Sequence, residues 1–292
     1  MIAPGNKLER IISRLVPGAY WAVYWRKAKR LGLTEPLLVL SFDCDTPEDA
    51  QASEKLFAWL EERGVPATFA VPGQTLKQGA STYRDIASAG AEFINHGGLP
   101  HAEYRDDRYW SITFYHEMGD DGVRRDIEEG HALVAEVTGK APVGFRAPHF
   151  GLYNQPAQLT HKHRVLESLG YRYSTSTIPA IGLRNGPVYR SGSLWEIPMA
   201  GWSKAPISLL DSWSLIESPQ YPRLTRVYRD RFCSTVDLVL KKRIPAVLNY
   251  YVDPAHVMET PYFCEAVDYA LQCGVRPVNY RQLIHLIEQH AG

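Results

Sequence analysis

Leu37-Leu38-Val39-Leu40-Ser41-Phe42-Asp43-Cys44-Asp45-Thr46 is the stretch on which the fold turns. Residues 37–42 form an apolar run of strand length, and two carboxylates follow where it ends. Side chains alternate faces along a strand, so Asp43 and Asp45 point one way and Cys44 the other. Helix signals come next: Thr46 as N-cap, Pro47 at the first position, and Gly64 after Arg63. An apolar strand, acids at its C-terminal end and then a helix make one βα unit. Turn formation or helix capping is the alternative use of the two acids.

The same alternation continues outward. Strands are expected at 67–71, 92–95, 143–146, 171–174, 194–199 and 246–251, with helices near 82–89, 121–137, 155–169, 229–242, 260–273 and 280–289. Alternating strands and helices imply a parallel sheet covered on its faces. About seven such units suggest an incomplete (β/α) barrel, with functional groups at the C-terminal strand ends. Two further strand ends carry chemistry. Asn95-His96-Gly97-Gly98-Leu99-Pro100-His101 offers two imidazoles. With one carboxylate they make a zinc-type set of three ligands that keeps a fourth position for water. His116, His149 and His256 are reserve ligands. Phe145-Arg146-Ala147-Pro148-His149 brings an arginine that can pair with a carboxylate and lower its pKa.

The 292 residues carry 32 Lys plus Arg and 32 Asp plus Glu, so overall charge gives no argument for a nucleic-acid partner. Hydrophobic residues at 45% and charged residues at 22% exclude a disordered chain. Cys44, Cys233, Cys264 and Cys273 form no CxxC pair and read as reduced thiols. No apolar run approaches the roughly 18 residues of a spanning helix, and no secretory pattern opens the chain. A cytoplasmic protein is expected. Residues 1–35 stand apart as an N-terminal extension: seven basic residues face Glu9 and Glu35, and Tyr20-Trp21-Ala22-Val23-Tyr24-Trp25 lies between the basic clusters. Such a segment either packs on the domain of residues 36–292 or meets the inner membrane surface through residues 1–30. Pro17-Gly18 should break it in two.

Taken together and in order, Ser-Phe-Asp-x-Asp, Val65-Pro66-Ala67-Thr68-Phe69, Asn-His…His and Gly144-Phe145-Arg146-Ala147-Pro148 resemble the polysaccharide deacetylase (NodB homology) family, carbohydrate esterase family four, in its Asp-x-Asp variant. The resemblance spans about residues 36–290. It implies a distorted (β/α) barrel, and removal of N- or O-acetyl groups from a sugar with one divalent ion, zinc first and cobalt or nickel as alternatives. It makes Asp43 the general base, Asp45, His96 and His101 the metal ligands, and Arg146 the residue that orients the base. His149 would supply an oxyanion N–H. Three departures stand out. The histidines are five residues apart instead of four, His149 stands where Tyr is common, and Asp253 stands where a general-acid His is expected. Asp253, His256 and His149 are therefore the candidate acids. The expected substrate is a nucleotide- or lipid-linked precursor of a surface polysaccharide such as O-antigen. The alternatives are a deformylase on a lipid-linked amino sugar and a non-catalytic carbohydrate-binding relative.

Overall fold

Every residue of the first strand, Leu37–Asp43, is buried, as a continuous apolar run at the centre of a parallel sheet must be. The computed structural model describes residues 5–290; residues 1–4 of the basic extension and 291–292 of the barrel lie outside the described residues. In chain order the strands are β1 (Leu37–Asp43), β2 (Thr68–Val71), β3 (Glu92–Asn95), β4 (Ala102–Arg105), β5 (Arg108–Ser111), β6 (Gly144–Phe145), β7 (Tyr173–Ser174), β8 (Tyr189–Ser191), β9 (Leu194–Glu196), β10 (Val247–Val252) and β11 (Arg276–Pro277). The main sheet runs β10-β1-β2-β3-β6-β7-β9-β8, with β11 also on β1. All its pairs are parallel except β8–β9.

The result is a (β/α) barrel, as the alternation predicts, of the distorted form that the resemblance implies, curled but not closed by strand pairing. Asn249 of β10 spans the gap. Its Nδ2 donates to the carbonyls of Ile197 (3.2 Å) and Pro198 (3.1 Å), and its own carbonyl accepts from Ala200 N (2.9 Å). Phe42, Phe69 and Phe93, from adjacent strands, stack at centroid spacings of 5.3 and 5.4 Å. Each fully buried Phe contributes about 1.5–3 kcal/mol.

The helix Pro47–Glu61 starts where its signals place it. Thr46 N–H donates to Asp49 Oδ2 (3.0 Å), which holds the first turn. The strands at 143–146, 171–174 and 194–199 shrink to two or three residues, because a curling sheet meets its neighbours only briefly. Several elements go beyond the expected ones, among them β8, β11 and the short helices Gly73–Gln78, Pro179–Asn185 and Pro254–Val257, and two differences bear on the site. The helix expected at 121–137 begins at Tyr115 and is interrupted at Gly119 (φ 68°). Between His101 and that helix, β4 and β5 form an antiparallel hairpin. Its two-residue turn is Asp106-Asp107, both with positive φ (51° and 56°), a pair less telling in a sequence than Asn-Gly or Asp-Gly.

The N-terminal segment folds as α1 (Lys7–Leu15) and α2 (Pro17–Arg30), broken at Pro17. Trp21 is buried and its Nε1–H donates to the Ser203 carbonyl (3.1 Å). The Tyr24 hydroxyl takes the N–H and meets the carbonyl of Val247, each at 3.1 Å, so α2 packs where β10 begins. Among the described residues no helix is long and apolar enough to cross a membrane.

Candidate metal centre

β1 delivers its two acids as the strand period requires. Cys44 turns into the core, 3.5 Å from Ser53 Oγ. Asp43 and Asp45 face the C-terminal end of the barrel. Asp43 Oδ1 accepts from Arg146 Nη1. Arg146 is fully buried, and its Nη2 and Nε donors are also taken. Nη2 reaches Ser41 Oγ (2.7 Å) and Tyr280 Oη (2.8 Å), and Nε the Thr175 carbonyl (3.3 Å). Burial pushes the Asp43 carboxyl up to about 6, with Arg146 opposing and Asp45 adding to the rise. Burial acts the same way on Asp45, but His101 and His96 beside it outweigh burial and hold it at about 2.

His96 follows β3 directly. Its Nδ1–H donates to the Arg146 carbonyl (2.9 Å), which fixes the tautomer and leaves the Nε2 lone pair free. That Nε2 lies 3.7 Å from Asp45 Oδ1 and 3.8 Å from Asp43 Oδ2. His101 Nδ1 lies 3.3 Å from Asp45 Oδ1. The extra residue between the histidines is absorbed at Gly97 (φ 83°), where a Cβ would collide with the Asp126 carboxylate. Asp126 organises this loop. Its Oδ1 accepts from Gly98 N (3.1 Å) and Leu99 N (2.8 Å), and its Oδ2 from the Tyr115 hydroxyl (2.7 Å). The return of the hairpin ties the loop down through Ile112 N to the His101 carbonyl (2.8 Å) and Thr113 Oγ1 to the Pro100 carbonyl (2.6 Å).

Ligand atoms of Asp45, His96 and His101 all lie within 4.8 Å of one another. Asp45 Oδ1 and both ring nitrogens of His101 are buried with no hydrogen-bond partner among the described residues. Buried polar atoms left without partners are costly, and the Asp45 oxygen and the lone-pair nitrogen of a neutral His101 are atoms that a cation can take. Two imidazoles and a carboxylate are the donor set of a zinc-type ion with an open position. The set therefore fits one divalent ion, and the reserve histidines stand elsewhere. His116 is partly exposed and pairs with Glu117 (3.6 Å). The His149 ring centroid is 5.7 Å from that of His101, and its Nε2–H donates to the Ile112 carbonyl (2.6 Å). His256 Nδ1 lies 3.2 Å from both Ser212 Oγ and Asp253 Oδ2.

Asp45, His101, His149, Trp213 and Tyr251 line a cavity of about 270 Å³. Asp253 is buried at the end of β10, and its backbone N–H donates to Ser212 Oγ (2.9 Å). Its Oδ1 has no hydrogen-bond partner among the described residues. The structure thus gathers Asp43, Asp45, His96, His101 and Arg146 directly, with His149 on the cavity wall and Asp253 beside His256. The sequence reading assigned no role to Ser41 and Tyr280, which hold Arg146, to Asn249, which accepts from the Tyr280 hydroxyl, or to Asp126, which shapes the ligand loop. Ser41 lies within the strand motif itself, but the others carry no local signal.

The polysaccharide deacetylase family model matches residues 30–174. No curated protein matches the sequence. Among solved structures, a polysaccharide deacetylase homologue from Mycobacterium smegmatis is 20% identical with a TM-score of 0.67, over 89% of this chain and 92% of that one. A homologue from Pseudomonas aeruginosa PAO1 is 14% identical with a TM-score of 0.58, over 82% and 73%. A CE4 family pseudoenzyme from Bacillus anthracis is 12% identical with a TM-score of 0.51, over 86% and 66%. At these identities the likeness is one of fold.

Proposed function

The chain belongs to the polysaccharide deacetylase family, hydrolases of carbon–nitrogen bonds, and from that premise we propose that it removes an N-acetyl group from a sugar at the centre built by Asp45, His96 and His101. The observation that carries the proposal is the convergence of ligand atoms of Asp45, His96 and His101 within 4.8 Å of one another. A divalent ion held there, zinc before cobalt or nickel, supplies Lewis acidity to the acyl carbonyl and acidifies water. Asp43 accepts the proton of the attacking water. Arg146, locked by Ser41, Tyr280 and Thr175, keeps the Asp43 carboxylate aimed. The backbone N–H of His149 donates to the oxygen on which charge develops. Asp253 returns a proton to the leaving nitrogen.

The carbohydrate reading draws support from a second cavity, of about 310 Å³, bordered by His256 and lined by Tyr104, Tyr109 and Tyr221. Exposed tyrosine faces there suit the apolar faces of sugar rings. The finer reading is a nucleotide- or lipid-linked precursor of a surface polysaccharide, O-antigen among them, processed at the cytoplasmic face of a membrane. The basic residues of the stretch 5–30 and the outward aliphatic side chains Leu8, Ile11, Ile12 and Leu15 support that site of action. One experiment tests the core of the proposal. The purified chain is analysed for metal and then assayed for acetate and formate release from a panel of N-acyl sugars. One equivalent of zinc and release of acetate are expected, with zinc lost in His96→Ala. A parent protein that stays metal-free in excess zinc at neutral pH refutes it. Formate as the preferred product moves the reading to a deformylase, since one methyl group is worth about 1–3 kcal/mol of discrimination.

A further inference from the structure

The cavity beside Asp45 and His101 adjoins another of about 260 Å³, and the two share Phe150, Leu209, Asp211 and Ser214 as lining. Arg10, Arg14 and Arg231 line the second cavity. Among the described residues none of the three has an ion-pair partner within the chain. Arg10 Nε donates to the Gly5 carbonyl (2.7 Å), and the Arg231 guanidinium lies 4.4 Å over the Trp202 ring. Burial and then the neighbouring Arg14 hold Arg231 below the usual guanidinium range, with Asp211 opposing. Asp211 is engaged elsewhere, accepting from Ser214 N (2.7 Å) and Ser214 Oγ (3.1 Å). Three cations against one carboxylate leave this end of the groove with an excess of positive charge.

Arg10 and Arg14 come from α1, whose amphipathy is inverted. Leu8, Ile11, Ile12 and Leu15 fall at the i, i+3, i+4, i+7 positions of one face. That face looks outward, with exposures of 63, 48, 42 and 75%. The inward face is polar. Ser13 is buried, and Glu9 accepts from Gly5 N (2.7 Å) and from Arg184 (3.0 Å). A helix that turns an aliphatic stripe away from its own core, beside arginines that open toward the catalytic groove, is built to meet something both apolar and anionic.

We propose that Arg10, Arg14 and Arg231 form a subsite for the phosphate or diphosphate of a lipid-linked sugar, and that the stripe on α1 takes the lipid chain. The proposal rests on the deacetylase reading for the position of the sugar, which would reach the metal centre past Phe150 and Leu209. Guanidinium forks suit phosphate oxygens, and an anion between three of them relieves their mutual repulsion.

The test is calorimetric titration of the full-length, zinc-loaded protein with dodecyl phosphate, inorganic pyrophosphate and dodecyl maltoside. Dodecyl phosphate should bind most tightly. Arg14→Gln with Arg231→Gln should raise its Kd about tenfold or more, the loss expected from charge-assisted hydrogen bonds, and leave dodecyl maltoside unchanged. Ile11→Ser with Leu15→Ser should weaken dodecyl phosphate and leave pyrophosphate unchanged. Arg14→Gln alone, at an exposed position, keeps the test open should the Arg231 variant fail to fold. Unchanged dodecyl phosphate affinity in Arg14→Gln overturns the anion subsite. Equal affinity for pyrophosphate and dodecyl phosphate, with a silent stripe variant, overturns the lipid chain and leaves a soluble phosphate-linked sugar. His96→Ala must still bind dodecyl phosphate. If it does while the parent releases no acyl group from any sugar, the deacetylase reading fails and the subsite stands. Acetate release with dodecyl phosphate binding indifferent to the arginines is the converse.

Discussion

In the proposed mechanism Asp253 takes the place that the resemblance gives to an imidazole, and its surroundings bear on that role. It is buried, and one oxygen lies 3.2 Å from His256 Nδ1. Burial first, and then Asp49, Asp45, Asp43 and Asp211, push its pKa well above the usual carboxylate range. Burial takes His256 the other way, down to about 4. Both directions favour the proton of this pair on Asp253 over His256, as the proposed acid requires. An acid must be protonated to act, so kcat is expected to fall as pH rises through the folded pKa of Asp253. Asp253→Asn should lower kcat by about 10²–10⁴ with zinc retained, and should remove that alkaline fall. A pH–rate profile with metal content measured on each variant checks both. Unchanged kcat in Asp253→Asn, with loss in His149→Ala, would transfer the role to His149.

At the scale of elements, the ligand loop shows which parts of a site a sequence reveals. The two acids on β1 were legible because strand alternation alone puts Asp43 and Asp45 on one face. Both histidines were legible as strand-end residues, and glycine at 97–98 as the means of lengthening the loop. Asp126 and Tyr115 were not. They sit in a helix among Glu117, Asp120, Asp121 and Glu128, where an acid that ties two loop N–H groups reads the same as one on a solvated face. Removing it should be costly at a distance. In Asp126→Ala the Gly98 and Leu99 N–H groups lose their acceptor, and His101 loses the loop that aims it. Partners that orient metal ligands change affinity by about 10–100-fold. The Kd for zinc should rise by that factor while far-ultraviolet circular dichroism stays as in the parent. Tyr280 plays the corresponding part for Arg146, accepting from Nη2 (2.8 Å) and donating to Asn249 Oδ1 (2.8 Å). Tyr280→Phe leaves a buried guanidinium short of one acceptor, and should destabilise the fold by about 1.5–3 kcal/mol in urea titration.

For the whole molecule, the alternation of apolar runs and helical periods was enough to predict the barrel, because each βα unit repeats the same burial problem. What it could not predict is how the curled sheet holds its far side. Besides Asn249, that side depends on charges sealed inside it. Lys162 and Glu196 are fully buried 3.4 Å apart, and His163 Nε2 lies 2.8 Å from the same Glu196 oxygen. Glu196 Oε1 accepts from Ser176 N (3.0 Å) and Thr177 Oγ1 (3.0 Å), while Lys162 donates to Ser174 Oγ (3.0 Å). Ser176 Oγ in turn accepts from Ala147 N (2.9 Å), next to Arg146. Burial alone would raise the Glu196 carboxyl, but Lys162 and His163 overcome it and hold it well below the ordinary range. A depressed carboxylate contributes stability that is present above its unfolded pKa, near 4.5, and is lost as pH falls through its folded value. Stability should therefore decline on acidification below about pH 4.5 more steeply in the parent than in Glu196→Gln. At pH 7, Glu196→Ala strands a buried ammonium and should cost about 3–5 kcal/mol by urea titration. Replacing both charges, Lys162→Met with Glu196→Leu, should recover only part of that. The ion pair itself is dispensable in principle, but Ser176 N and Thr177 Oγ1 would still lack the acceptor that Glu196 gives them. Full recovery in the double variant would show instead that those two donors find other partners, and that the cluster contributes no more than its charges.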